Sequence, residues 1–447
     1  MMKRVGGTWW GVFGFVTLAW LVAESDLMSS SVTLPYRNLL LQYSGLLAIA
    51  WMSVAMILAA RPMWPERWFG GLDKMYRLHK WVGISVLVFS LAHWLGVNAP
   101  KWAGKLGLMQ RAPHGPRAPL TNPIAQWLDG YRSAAEMVGE WAFYAAVVLM
   151  IVSLVQRIPY RLFYKTHRVL AACYLALVLH TVVLTKFAYW TSPVSIVLVP
   201  LLALGSWAAV VVLLRRVGAS RRVSGTITAM EYYPGVHALE VVVDVPTGWS
   251  GHEPGQFAFV TSDSSEGAHP YTMASAWQAA STRITFIVKE LGDHTARLRE
   301  KLRIGQTVRV EGPYGRFTFA GADAPQIWVG GGIGITPFIA RMKYLAQQTA
   351  RPTYSIDLFH ASADADNVAF GKLQADAAAA GVRLHLLLDA RDGLLTAARI
   401  RELVPSWRES SIWFCGPAGL GDTLRRDFDR MGFAVGPHFH QEWFAMR

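Results

Sequence analysis

Two apolar stretches, each carrying two histidines, constrain this chain more than any other feature: His79 and His93 in RLHKWVGISVLVFSLAHWLGV, and His167 and His180 in THRVLAACYLALVLHTVVL. Spacings of 14 and 13 positions correspond, at about 1.5 Å per residue, to roughly 20 Å along a helix axis, most of a bilayer core. An ionisable side chain in lipid is costly unless it has a partner, so each of these residues is a functional candidate. Neutral imidazole is the commonest metal ligand, and nitrogens from two facing helices could hold a b-type heme iron from both sides. Pairing His79 with His167 and His93 with His180 gives two rungs. The alternative for any one histidine is a plain hydrogen bond to a neighbouring helix; two pairs at matching depth favour ligands. The rotational fit is uneven. At about 100° per residue, 14 positions return to within roughly 40° of the starting face, whereas 13 miss it by about 140°. The second helix must bend, bulge or present its two hemes at different rotations.

Of the 447 residues 53% are hydrophobic and 16% charged, which points away from an ordinary soluble enzyme. The apolar excess lies before Leu214; from Arg215 onward the chain has the Gly and Pro punctuation of a globular domain, and the basic linker RRVGASRR (Arg215 to Arg222) marks the divide. Runs long enough to span a bilayer fall at residues 5–23, 39–60, 80–97, 138–155, 168–186 and 193–214. The first follows MMKR, but no small-residue cleavage site is evident after Ala23, so it is expected to be retained. Short-loop Lys and Arg, including Arg61, Lys74, Arg77, Arg157, Arg168 and Arg215, all fall on one side, which the positive-inside rule makes cytoplasmic along with both termini. Both histidine stretches then run outward, so His79 and His167 form an inner rung and His93 and His180 an outer one. The formal charge of +13 fits a membrane surface better than nucleic acid, for which no motif is present. On the outer side, Arg111, His114, Arg117 and Arg132 could attract an anionic acceptor or lipid headgroups. The only cysteines, Cys173 and Cys415, sit in different environments, so neither a disulfide framework nor a cysteine-ligated cluster is expected.

After the linker, SGTITAMEYY, HALEVVVDV and EPGQFAFV have the alternation of strands and suggest a small antiparallel barrel. Within it lies His269-Pro270-Tyr271-Thr272. Tyr271 can lie against an isoalloxazine ring, the Thr272 hydroxyl can meet its polar edge near N5, and His269 can contact the flavin or its phosphates. Further on, LGDHT offers Gly292 for close backbone approach and Thr295 as a helix cap, a natural diphosphate site. Taken singly, the first motif could be a kinked strand and the second a capped helix.

Pro325 to Val329 reads as a buried strand, followed by Gly330, Gly331, Gly332, Gly334, Thr336 and Pro337 and then an amphipathic helix. Glycines between strand and helix let a dinucleotide pyrophosphate approach the backbone at a helix N-terminus. Alternating strand and helix signals continue to Cys415-Gly416-Pro417, giving an α/β arrangement with a mostly parallel sheet. Cys415 could sit beside a nicotinamide or be a buried structural thiol. Asp364 and Asp366, at the expected ribose end of the second strand, would repel a 2′-phosphate, which favours NADH without excluding NADPH.

Together these motifs (histidines spaced 14 and 13, HPYT, LGDHT, EGPYGRF, GGGIGITP and CGP) resemble the ferric reductase and NADPH oxidase superfamily of transmembrane flavocytochromes b, over nearly the whole chain. The resemblance implies a membrane α-helical bundle of six spans with two heme b, followed by a cytoplasmic ferredoxin-reductase-like module made of an antiparallel β-barrel FAD domain and an α/β nucleotide-binding domain. The expected boundaries are residues 1–214, 215–322 and 323–447. It makes His79, His93, His167 and His180 heme ligands and His269, Tyr271 and Thr272 flavin contacts, and the 13-residue spacing is itself a family feature. The ending HFHQEWFAMR is similar to a segment in which an aromatic covers the flavin until nicotinamide displaces it; Phe444 is the match, with Trp443 beside it. The implied activity is electron transfer from NADH or NADPH through FAD and the hemes to a ferric chelate or to oxygen, giving superoxide. A module supplying electrons to a periplasmic or membrane partner protein is the alternative. Without a targeting sequence in view, the expected location is a bacterial inner membrane.

Overall fold

The computed structural model describes residues 2–25, 36–108, 120–155, 157–245, 248–278, 282–320, 324–350 and 352–442. His114, Arg111 and Arg117 of the outer segment, and Trp443 and Phe444 at the end, lie outside the described residues. By internal contact the chain divides into two units, one holding the chain up to Pro65 and Lys74–Val217, the other Glu66–Asp73 and the chain from Gly218 on.

Helices in chain order are α1 (Met2–Ala23), α2 (Tyr36–Ala59), α3 (Met63–Phe69), α4 (Leu72–Lys105), α5 (Pro123–Asp129), α6 (Arg132–Leu154), α7 (Tyr160–Leu184) and α8 (Pro193–Leu213). All but α3 and α5 have the length and hydropathy to cross a bilayer. Local chemistry fixes their starts. Asn122 accepts the amides of Ile124 and Ala125 ahead of Pro123, and Ser192 accepts that of Val194 ahead of Pro193, the side-chain cap followed by proline that satisfies otherwise orphaned donors. Three helices begin earlier than the apolar windows at 80–97, 138–155 and 168–186: α4 starts at Leu72, α6 at Arg132 and α7 at Tyr160. The window marks what is compatible with lipid, whereas intrahelical hydrogen bonding continues through flanking polar residues such as Asp73, Lys74 and Arg77.

Two groups of buried polar side chains inside this unit are paired. Glu24 accepts from Lys186 Nζ and from the Tyr189 hydroxyl, each at 2.7 Å, and the Trp20 indole donates to Tyr189 at 3.0 Å. This joins the end of α1 to the turn before α8. Fully buried Tyr174 lies 2.9 Å from Ser53 Oγ, whose own hydrogen goes to Ile49 O, so the tyrosine donates. Gly205 makes that approach possible, since a Cβ there would fall 2.2 Å from the Tyr174 oxygen.

In the second unit, strands β1 (Arg222–Tyr233), β2 (Ala238–Asp244), β3 (Phe257–Thr261), β4 (His269–Thr272), β5 (Arg283–Lys289) and β6 (Thr307–Tyr314) form a sheet in the order β4-β3-β6-β1-β2-β5. All its pairings are antiparallel, and a bridge from Met273 to Phe286 joins its two edges into a barrel. Ile227, Val243, Ile284 and Val310 fill the interior. After a short α9 (Leu298–Lys301), strands β7 (Gln326–Gly331), β8 (Ile356–Ser362), β9 (Arg383–Leu388), β10 (Ser411–Cys415) and β11 (Phe439–Gln441) form a second sheet in the order β11-β10-β7-β8-β9, with every pairing parallel. Alternate residues serve opposite faces. Trp328, Leu358 and Trp413 pack against Phe338 and Leu345 of α10 (Thr336–Ala346) and Leu373 of α11 (Asn367–Ala380), while Ile327, Phe359 and Phe414 face Ile400 and Phe428. Strand order reverses at β7, so the crevice beyond its C-terminal end, beside β10, is where such a sheet binds ligands.

Polar side chains tie the barrel to the parallel sheet. Asp366 caps α11 by accepting the amides of Val368 and Ala369, and also accepts Gly235 N at 2.9 Å from the β1–β2 connection. Lys289 meets Asp364 at 3.0 Å, and Lys372 meets Glu231 at 2.6 Å and the Tyr233 hydroxyl at 2.7 Å.

Two outcomes follow for stability. Asp366→Ala removes a cap and the tie to Gly235 together and should cost about 1–2 kcal/mol, read as a lowered denaturant midpoint of the second unit. His252 is buried, its Nε2 donating to Ser275 O at 3.0 Å and its Nδ1 accepting from Trp249, and burial lowers its pKa to about 4. Its fold-favouring neutral form is the ordinary state above an unfolded value of about 6.5, so its contribution is complete above that pH and is lost as pH falls toward 4. The loss is on the order of 3 kcal/mol. Thermal denaturation at pH 7 and pH 5 should show a drop that His252→Gln makes shallower.

Candidate functional site

The four membrane histidines meet in two pairs. The rings of His79 and His167 have centroids 5.9 Å apart at 69°, and those of His93 and His180 are 6.5 Å apart at 87°. A metal–nitrogen distance of about 2 Å on each side, with each ring centre roughly 1.2 Å behind its nitrogen, puts two trans ligands about 6.4 Å apart. Both pairs match that separation. The helix α7 runs as one α-helical element through His167 and His180, without a bulge.

What fixes the rings is the other nitrogen. His79 Nδ1 lies 3.1 Å from Ala55 O and His93 Nδ1 3.0 Å from Leu41 O, both on α2; His180 Nδ1 lies 2.8 Å from Ala135 O, on α6. A carbonyl can only accept, so each of these Nδ1 atoms carries the hydrogen and each Nε2 keeps its lone pair. His167 Nδ1 lies 2.9 Å from Ser153 Oγ, and that hydroxyl already donates to Leu149 O at 2.7 Å. It too must accept. All four imidazoles are thus held in the tautomer that presents Nε2, the second-shell arrangement of metal-ligating histidine. Two glycines make room: a Cβ on Gly139 would fall 1.9 Å from His180 Nδ1, and one on Gly45 would fall 3.2 Å from His93 Cε1. Neither these glycines nor the carbonyl and hydroxyl partners stand out in the sequence.

On the barrel, Pro270 is tolerated because β4 is at the end of the hydrogen-bonded strand order. His269 and Tyr271 share one side of β4. Their rings lie at 19° to one another with centroids 6.5 Å apart, and His294 stacks on His269 at 3.7 Å and 6°, making a row of three near-parallel rings. His294 was within the LGDHT motif but carried no signal of this stack. Burial, and then the neighbouring His294, brings the His269 pKa to about 4, and burial lowers that of His294 as well. Both are neutral at pH 7, which removes charge repulsion from the stack. Strand alternation puts Thr272 on the opposite side of β4 from Tyr271, and it is buried. Thr295 does not cap a helix. Its hydroxyl oxygen instead accepts the amides of Leu291 and Gly292, closing the LGDHT turn, because only a three-residue turn and the four-residue α9 follow. Gly292 faces open space where its Cβ would be, so the protein's own packing does not require glycine there.

At the reversal point of the parallel sheet, two turns interlock. A Cβ on Gly334 would fall 2.2 Å from Cys415 O, and one on Gly331 would fall 2.7 Å from Pro417 Cδ, with Gly416 in contact as well. Gly330 O accepts from His360 Nδ1 at 3.0 Å, a support that the sequence did not announce. Gly332 has φ +54° and open space at its Cβ position, the conformation that lets a phosphate approach backbone amides. Thr336 is buried and donates to Ile333 O, and Pro337 occupies the first turn of α10. Cys415 is wholly buried, and burial, with Glu442 nearby, pushes its thiol well above the ordinary range, so it packs and positions and is not a nucleophile. Asp364 is engaged with Lys289, and Asp366 with backbone amides.

Residues 44–178 match the family described as "Ferric reductase like transmembrane component", and residues 224–318 match "FAD-binding domain". An NADPH oxidoreductase of Mycobacterium tuberculosis is 29% identical over 184 residues, covering 40% of this chain and 47% of that protein. A flavohemoprotein of Pseudomonas putida is 28% identical over 200 residues, covering 40% and 48%. The chain therefore spans about half the length of these relatives. Among solved structures, a cytochrome P450 reductase from Amycolatopsis is similar at 23% identity and a TM-score of 0.43, over 50% of this chain and 70% of that one. Six helices able to cross a bilayer, followed by an antiparallel barrel that matches an FAD-binding domain and by a parallel α/β sheet, make this a multi-pass membrane protein. On one polypeptide it joins a ferric reductase-like transmembrane component to an FAD-binding domain, the architecture of the ferric reductase and NADPH oxidase-like flavocytochromes.

Proposed function

We propose that this chain carries electrons from cytoplasmic NADH or NADPH, through FAD and two stacked heme b, to a small acceptor across the membrane, either a ferric chelate or oxygen giving superoxide. The observation that carries this reading is the set of four Nδ1 bonds, which leave the lone pair of every Nε2 free, at ring separations of 5.9 and 6.5 Å. His79 and His167 would hold one heme and His93 and His180 the other. Heme, when bound by these pairs, would supply one-electron transfer. FAD, when bound, supplies the conversion of a hydride pair into single electrons.

For the flavin, the row of Tyr271, His269 and His294 offers an apolar, uncharged platform, and His269, Pro270, Thr272, Gly292 and Thr295 complete the proposed contacts. For the dinucleotide, Gly330, Gly331, Gly332, Gly334, Thr336 and Pro337 form the phosphate turn, while Cys415, Gly416 and Pro417 hold the adjoining wall. Phe444 would cover the flavin from the chain's end. The charge of the short loops supports cytoplasmic termini and a bacterial inner membrane.

A reduced-minus-oxidised spectrum of purified protein, taken with NADH and then NADPH under nitrogen and again in air, tests the pathway. Reduction of two b hemes by nucleotide supports it, and fewer than two porphyrins per chain at full loading would falsify it. Superoxide accounting for all nucleotide consumed would remove the ferric chelate. Negligible turnover with both small acceptors, restored by a periplasmic or membrane fraction, would point to a partner protein instead. His93→Ala and His180→Ala should each lower the pyridine hemochrome yield from two per chain to one. Gly139→Ala should do the same by displacing His180, while Gly45→Ala, whose added methyl meets only a ring edge at 3.2 Å, should lose much less.

A further inference from the structure

Three of the four imidazoles are held by backbone carbonyls, which no side-chain substitution removes. His167 is the exception. Its Nδ1 partner is the Ser153 hydroxyl at 2.9 Å, on the last residue but one of α6. That hydroxyl is satisfied as a donor by Leu149 O at 2.7 Å, so the helix needs nothing more from it, and the bond to His167 is an additional use of its lone pairs. Donation to a carbonyl also polarises the serine oxygen and makes it a better acceptor. His93 has a nearby hydroxyl too, Ser44 Oγ at 3.2 Å, but there the Leu41 carbonyl is closer, at 3.0 Å.

Resting on the reading of the paired histidines as heme ligands, we propose that Ser153 is a positioning residue that fixes the His167 tautomer and sets the reduction potential of the inner heme. An acceptor at Nδ1–H makes the imidazole more basic at Nε2 and so favours the ferric over the ferrous ion. Without it the potential rises. Ser153 is therefore the side-chain partner among the four shortest Nδ1 bonds, and it acts on one heme of the two.

The test is an optical redox titration of the purified full-length protein, with heme counted in every sample. Ser153→Ala, with two hemes retained, should raise one midpoint only, so that at a fixed poise the reduced-to-oxidised ratio of that heme rises about tenfold, a shift of about 59 mV. Ser153→Thr, which restores the hydroxyl, should return it, and Ser44→Ala should produce a smaller change, on the other heme. If Ser153→Ala loses heme, Ser153→Cys keeps the volume with a weak acceptor and carries the same expected rise. Unchanged midpoints in a fully loaded Ser153→Ala or Ser153→Cys protein overturn the proposal. A wild-type protein with fewer than two hemes overturns the ligand reading itself, whatever the serine variants do.

Discussion

The membrane unit depends on what is done with one hydrogen on each of four imidazoles. In a low-dielectric interior an unpartnered N–H costs several kcal/mol on the order of a lost hydrogen bond and its desolvation. Here α2 and α6 supply the missing acceptors, two apiece. The same bonds that make the histidines tolerable in lipid orient them and determine which nitrogen remains available. Stability and site geometry are thus set by one interaction, repeated with small variations. Gly139 and Gly45 are its steric counterpart, since the backbone can come close to a ring only where no side chain intervenes.

The second unit solves a different problem with related means. Its sheet reversal brings the ends of β7 and β10 together, and glycine lets two turns share a volume that side chains would fill. At that point His360 donates to Gly330 O and Thr336 to Ile333 O. The backbone that faces outward, at Gly332 and Gly292, is left open for approach.

Much of this was legible in the sequence where the signal is a residue type at a spacing. The histidine pairs, the glycine turn and the strand alternation all announce themselves. Legibility ends where the chemistry comes from the main chain. Leu41, Ala55 and Ala135 act through carbonyl oxygens, so nothing about their side chains marks them, and Ser153 looks like any other helical serine. Thr295 misled because the cap reading presumes a helix long enough to need one, and α9 has four residues. The length of α4 escaped for another reason: hydropathy records where lipid is tolerated, whereas the helix runs on to Lys105 past Pro100.

The joint at Asp364, Asp366 and Lys372 places a limit on redesign. In an α/β nucleotide fold the tip of the second strand is the natural place to rewrite ribose recognition. Here that tip also bolts the parallel sheet to the barrel through Lys289, Gly235 and Glu231. Any exchange of these acids would slacken the joint as well, so this corner of the fold cannot be rewritten without loosening the contact between sheet and barrel.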